Sequence, residues 1–257
     1  MTENTVFIAR GLSKTFGGVR AVTEMSLSLN SNKVSGLIGP NGAGKSTLVD
    51  LLSGQQRSEA GSIVLRGHDI SGMAPHEFVR RGIARTFQTS RLTRGLTVFQ
   101  VVEAAALSSR HVSAWGYVAG LRHVRRQYAA IQKIVDSTLE QVELSDVRQE
   151  YVRNIRWEQQ RRLEIARALA MDCAVLLLDE PTAGMSAESL PRFSSLIRAI
   201  AKNGVAVLLI EHNVSFIQVT VDDLYAMEAG SLLTSGSVPV VLADERVISS
   251  YLGSVRQ

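Results

Sequence analysis

Apolar and polar positions along the 257-residue chain fall into three textures. The first part reads as strands. Val6–Ala9 is a short apolar run, Ser26–Asn30 alternates with period two as a half-buried strand does, and Val34–Ile38 is continuously apolar up to the turn signal Gly39-Pro40. Lys45–Ser53 has helical spacing with Gly54 as a stop, and Ser62–Leu65 and Ile83–Phe87 read as further strands. From about Val98 to Met171 strand signals fade and helix formers dominate, as in Arg125–Leu144 and Glu158–Ala170. Strand and helix then alternate again in Ala174–Leu178, Glu188–Ala201, Val205–Ile210 and Asn213–Val219. This order predicts an α/β fold with a mainly parallel sheet, interrupted by a helical insertion.

Composition narrows the class. With 45% hydrophobic and 20% charged residues the chain is globular, and it is long enough to bury a core without disulfides. Its one cysteine, Cys173, excludes an internal disulfide and fits a reducing compartment. Residues 1–10 lack a basic start followed by an apolar run, and no stretch reaches the roughly 18 apolar residues of a membrane span. The expectation is a soluble chain without a signal peptide. The net charge of +4 permits an anionic partner and demands none.

Gly39-Pro40-Asn41-Gly42-Ala43-Gly44-Lys45-Ser46-Thr47 matches G-x-x-x-x-G-K-[ST] between an expected strand and an expected helix, the context this motif needs. The glycines let backbone N–H groups wrap a phosphate, and the helix start adds partial positive charge. Lys45 is placed to neutralise the β- and γ-phosphates, and the Ser46 hydroxyl to ligate Mg²⁺. Far downstream, Val175–Leu178 runs into Asp179 and Glu180. An apolar strand can deliver Asp179 to the sheet edge where ligands of open α/β sheets bind, and Asp179 then suits the Mg²⁺ shell through water. Glu180 can orient or deprotonate an attacking water.

With their flanking segments these two motifs make the chain resemble the ATPase subunit of an ABC transporter, over nearly its whole length. The resemblance implies a single domain with an N-terminal antiparallel β subdomain, a nucleotide-binding core at 1–87 and 172–257, and a helical subdomain at 88–171. It implies that Phe16, in Lys14–Gly18, lies against adenine, although a core strand aromatic fits that residue equally well. It implies that Gln88, in Arg85-Thr86-Phe87-Gln88, touches Mg²⁺ and the membrane partner, and that His212 contacts the γ-phosphate. The catalytic set so implied is Glu180, His212, Lys45 and Gln88. Ser186, in Pro181–Ser186, stands at a position that is often Asp or Asn.

Arg85–Gln88, Leu96-Thr97-Val98, Gln159–Leu169 and Arg246–Gly253 are similar to importers of branched-chain amino acids, and the long segment between Ala104 and Val142 resembles the larger of their two ATPase subunits. Urea and short-amide importers share the pattern. The resemblance implies ATP and Mg²⁺ as cofactors and a second, different ATPase chain as partner. It also implies membrane permeases, an extracytoplasmic solute-binding protein, and a peripheral place on the cytoplasmic face of the plasma membrane. Nucleic acid is not an expected partner. The alternatives are a subunit that binds ATP with little hydrolysis, a soluble relative acting on ribosomes or DNA, and a small-molecule kinase. The last lacks support from Gln88 and His212.

One departure stands out. Where the family reads Leu-Ser-Gly-Gly-Gln, or Leu-Ser-Tyr-Gly-Gln in this branch, the chain has Ile155-Arg156-Trp157-Glu158-Gln159. In the family this segment caps the γ-phosphate held by the partner subunit. Glu158 puts a side chain and a negative charge there, and two like charges 4 Å apart repel by about 4 kcal/mol at an effective dielectric of 20. An asymmetric pair of ATP sites is expected, one intact and one degenerate. The charge is also uneven. Residues 80–170 hold 16 Lys+Arg and 8 Asp+Glu, so the rest of the chain is net acidic. Part of this excess, near Arg122, Arg125 and Arg126, is expected to face the anionic inner leaflet.

Overall fold

The computed structural model describes residues 4–86, 93–110 and 122–253, without the side chains of 122–125 and 251–253. Three apolar runs become the centre of one sheet: β3 (Val34–Ile38), β7 (Val175–Asp179) and β8 (Ala206–Ile210) are buried at every position. Continuous burial means cover on both faces, the usual state of a parallel strand. β3 and β7 each pair with β8 in parallel, with Leu37 and Asp179 both opposite Ile210. That register brings the C-terminal ends of three strands level with one another.

Six strands form this sheet, in the order β10-β9-β3-β8-β7-β6, with β6 at Ile83–Thr86. β9 (Asp223–Glu228) is parallel to β3 and antiparallel to β10 (Ser231–Ser237). Ala229 and Gly230, both at positive φ, turn that hairpin. A second, four-stranded sheet has the order β2-β1-β4-β5, with β1 at Thr5–Phe16, β2 at Val19–Asn30, β4 at Ala60–Leu65 and β5 at His68–Asp69. All its pairings are antiparallel; β1 buries Phe7, Ala9 and Leu12, and β2 buries Val22, Met25, Leu27 and Leu29, with less buried positions between them. One core joins both sheets through helix α1 (Lys45–Leu52): Phe7, Leu29, Leu37, Leu48, Phe78 and Leu208 belong to a single buried cluster. Each such side chain contributes about 1.5–3 kcal/mol by leaving water.

The chain divides into two units, 1–85 with 174–257 and 86–173. The second unit is helical. α3 (Val98–Ser108) opens on a capping box read directly from Thr97-x-x-Gln100: Thr97 Oγ1 accepts from the Gln100 N–H at 3.2 Å, and Gln100 Oε1 accepts from the Thr97 N–H at 2.9 Å. α4 spans Arg122–Gln141 and α5 spans Trp157–Ala170. In the first unit α2 (Pro75–Arg80) lies before β6, and α6 (Leu190–Lys202), α7 (Val214–Thr220), α8 (Val238–Leu242) and α9 (Glu245–Gly253) follow β7.

Sequence patterning anticipates the buried strands and the long helices to within a few residues. It understates β1 and β2, which extend well beyond Val6–Ala9 and Ser26–Asn30. It does not anticipate α2, β5 or the β9–β10 hairpin. α2 has only six residues, and β10 is a mostly polar edge strand with no buried position. Among the described residues no helix is long and apolar enough to cross a membrane.

Much of the basic charge in 80–170 is used internally. Arg148 pairs with Asp136 at 3.1 Å, Arg161 with Glu164 at 3.3 Å and Arg162 with Glu143 at 2.9 Å, while Arg110 donates to the carbonyls of Ala106 and Ala170. The side chains of Arg122 and Arg125 lie outside the described residues, and Arg126 is exposed.

Candidate active site

The loop between β3 and α1 has a shape that the protein itself enforces. A Cβ on Gly39 would stand 2.2 Å from the Met227 carbonyl oxygen, and one on Gly44 would stand 2.2 Å from the Ala21 carbonyl oxygen. Gly44 also has φ 94°, in the left-handed region. Gly44 is the N-cap of α1 and has no side chain with which to cap it, so the first turn faces the loop with its N–H donors. The Lys45 ammonium lies inside the loop and donates to the carbonyls of Gly39 at 2.7 Å and Pro40 at 2.9 Å. Burial lowers the Lys45 pKa, against the raising effect of the Glu180 and Asp179 carboxylates. Their attraction places both carboxylates within electrostatic reach of the ammonium.

Asp179 ends β7 and is 5% exposed. Its Oδ2 accepts from Arg85 Nη2 at 3.0 Å, and the same guanidinium pairs with Asp50 of α1. Arg85 therefore ties β6 to both halves of the site. Glu180 follows at φ 46°, a strained conformation for a residue with a side chain, and its N–H donates to the Ile210 carbonyl at 3.0 Å. His212 Nδ1 stands 4.0 Å from Glu180 Oε1. The His212 side chain is 66% exposed, so its free face is open to a ligand. Asn213 next to it caps α7, accepting from the Phe216 N–H at 3.1 Å.

Two residues that sequence reading left without a role hold this arrangement. Arg85 was visible only within a motif, and nothing local marks it as the partner of two carboxylates. Glu211 directly follows β8, is 1% exposed, and accepts from Thr182 and from the His212 N–H. A charged residue closing an apolar strand was the only signal, and it reads equally well as a solvated strand end.

Of the other expected site residues, Phe16 is 46% exposed at the end of β1, with the Lys14 ammonium 5.3 Å from its ring centre, which removes the core reading of this ring. Ser46 and Thr47 lie in the first turn of α1. Gln88 lies outside the described residues. Among the described residues no three His, Cys, Asp or Glu side chains converge on a cation position. Ser46 and Asp179 are hard oxygen donors of the kind Mg²⁺ takes, and Mg²⁺ typically draws its remaining ligands from phosphates and water.

In the second unit, Ile155–Gln159 form a regular helix start. Arg156 is the N-cap of α5, with extended backbone, and Gln159 Oε1 accepts from its N–H at 2.9 Å. Arg156 offers no acceptor, so only this half of a capping box exists. Glu158 lies in the first turn, where a negative charge favours the helix dipole. Trp157 is 38% exposed and stacks under the Arg161 guanidinium, 4.8 Å from its ring centre.

A family model described as ABC transporter matches residues 22–183. The high-affinity branched-chain amino acid transport ATP-binding protein BraF of Pseudomonas aeruginosa is 33% identical over 95% of this chain and 96% of its own length. The corresponding protein LivG of Escherichia coli is 32% identical over 95% of this chain and 96% of its own. The lipopolysaccharide export system ATP-binding protein LptB of Haemophilus influenzae is 32% identical over 97% of this chain and 98% of its own. Among solved structures, the ADP conformation of an ATP-binding cassette of an ABC transporter superposes with a TM-score of 0.83 at 26% identity, covering 97% of this chain and 99% of that one. Similarity of sequence and fold over nearly the full length meets a phosphate loop whose glycines the fold requires, and the chain therefore belongs to the ABC transporter family as one of its ATP-hydrolysing, nucleotide-binding subunits.

Proposed function

We propose that the chain powers import of branched-chain amino acids, working beside a second, different ATPase subunit on permeases of the plasma membrane. The observation that carries the catalytic part is the 4.0 Å separation of Glu180 Oε1 and His212 Nδ1, with Glu180 in electrostatic reach of Lys45 in the glycine loop. The names of BraF and LivG support the substrate class. The similar identity of LptB, named for lipopolysaccharide export, favours a second reading in which the subunit drives an exporter.

In the proposed site, loop N–H groups and Lys45 bind the phosphates, and Phe16 stacks on adenine. Glu180 orients the attacking water and accepts its proton, and His212 holds the γ-phosphate on the other side. Ser46 and Asp179, with Gln88, would hold Mg²⁺, which neutralises charge on the transferred phosphoryl group. Positioning and electrostatics then carry the rate.

The degenerate segment Ile155–Gln159 would serve the other ATP of the pair. Glu158 brings a negative charge into that helix start, and Arg156 replaces a small hydroxyl, so that site turns over poorly. Glu180→Gln in the reconstituted complex tests the catalytic reading. Turnover is expected to fall by about 10²–10⁴-fold with ATP binding kept, the span of a lost general base. Wild-type turnover would refute the assignment. Uptake of labelled leucine, isoleucine and valine by cells lacking the gene separates importer from exporter.

A further inference from the structure

Glu211 is a carboxylate 1% exposed at the end of an apolar strand, where an unsatisfied charge would be strongly destabilising. Its two oxygens are divided between two segments. Oε1 accepts both the Thr182 N–H at 3.0 Å and the Thr182 hydroxyl at 2.6 Å. Oε2 accepts the His212 N–H at 3.3 Å. Thr182 lies two residues after Glu180 and is itself 8% exposed. The Glu211 N–H donates to the Leu37 carbonyl at 3.4 Å, in the strand that leads into the phosphate loop.

We propose that Glu211 is a positioning residue for hydrolysis: one buried carboxylate ties the Glu180 segment to the His212 segment and keeps the two side chains at working separation. This rests on the assignment of Glu180 and His212 above. Register alone does not hold that separation. β7 and β8 pair through Asp179 and Ile210, and both functional side chains come just after the pairing ends. Beyond that point the Glu180 N–H donates to the Ile210 carbonyl and its carbonyl accepts from the Ala183 N–H, while His212 is held by its own N–H and by the cap of the helix that follows. The Glu211 side chain bonds to both segments. Nothing in this role needs Glu211 to touch nucleotide, so its loss should act on the rate of the chemical step and leave binding in place.

The test uses the reconstituted complex with ATP, comparing Glu211→Gln, Thr182→Val, Thr182→Ser and Glu180→Gln. Glu211→Gln keeps the shape but presents an NH₂ to one of the two segments. Its kcat is expected to fall by about 10–100-fold, since a misplacement of about 1 Å can cost 10²-fold. KM for ATP should stay within about twofold and Tm within a few degrees, a split that a merely structural loss does not give. Thr182→Val should lower kcat in the same way but less, and Thr182→Ser, which keeps the hydroxyl, should restore it.

A folded Glu211→Gln with wild-type kcat beside an inactive Glu180→Gln would overturn the proposal and leave the site assignment standing. Loss of kcat, ATP affinity and Tm together would overturn it in favour of a folding role. An active Glu180→Gln would instead remove the assignment itself. Should Glu211→Gln fail to fold, Thr182→Val decides: reduced kcat at unchanged ATP affinity supports the proposal, and unchanged kcat overturns it.

Discussion

The loop at Gly39–Lys45 and the segment at Ile155–Gln159 are both turns into a helix, and the fold leaves them different room for side chains. The first has both glycines of its motif; the second carries Arg156 and Glu158 where the resemblance implies Ser and Gly. Packing gives a reason. At Gly39 and Gly44 a Cβ would come within 2.2 Å of a backbone carbonyl oxygen, so folding itself forbids a side chain. Arg156 and Trp157 are exposed, Glu158 favours the dipole of its own helix, and Gln159 closes on the Arg156 N–H. No fold-level penalty guards the second segment.

The comparison breaks most visibly at Gly44. Gly44→Ala combines a 2.2 Å overlap with a positive φ, so a loss of about 3 kcal/mol or more is expected, lowering Tm by roughly 6–12 °C and abolishing nucleotide binding. Calorimetry and nucleotide titration check both. Arg156→Ser with Glu158→Gly should shift Tm by less than about 4 °C, the range of a glycine placed in a helix. A Tm drop as large as that of Gly44→Ala would erase the distinction.

Lys45→Met should weaken ATP binding by about 10–100-fold, the worth of a charge-assisted hydrogen bond. It should not lower the stability of the nucleotide-free chain. Burial lowers the folded-state pKa of Lys45, so its charged form is a liability to folding at neutral pH. That liability is present below the lowered pKa and fades as pH rises through it towards 10.5, where the advantage of methionine should vanish. Denaturant midpoints at pH 7 and above pH 10.5 read this directly.

Reverting the second segment is the next smaller effect. If the proposed asymmetric pair holds, Arg156→Ser with Glu158→Gly should raise ATP turnover of the complex severalfold at most, because the other site would already work. Unchanged turnover would count against a degenerate second site.

The smallest effect is read at Cys173, in the same unit as that segment. Burial raises its thiol pKa to about 12, with Asp172 adding to the shift. The thiol should resist a thiol reagent at pH 8 equally in the wild type and in the reverted chain. Since the thiolate is disfavoured in the folded state, stability should fall as pH rises from 9.0 towards about 12, in both chains alike. A reactive thiol in either chain would show that the segment bears on the folding of its unit after all.

Much of the site is legible because its chemistry is local. Gly39–Thr47 is contiguous, and a continuously apolar strand ending in Asp179-Glu180 announces a sheet edge. The missed pieces lack a local signal: α2 is six residues long, and β10 is a polar edge strand whose burial pattern does not separate it from loop.

Sequence alone determined the family, the phosphate loop and the order of strands and helices, because periodicity and motif spacing act over a few residues. Tertiary structure decided which charges are partners. Arg85 meets Asp50 and Asp179, and Glu211 meets Thr182, only because parallel pairing brings distant strand ends level. It also decided that Gly44 is obligatory, through the Ala21 carbonyl oxygen. The reason is the same in each case: sequence carries the chemistry of a residue and its near neighbours, and closeness to a distant backbone or a distant charge exists only once the chain has packed.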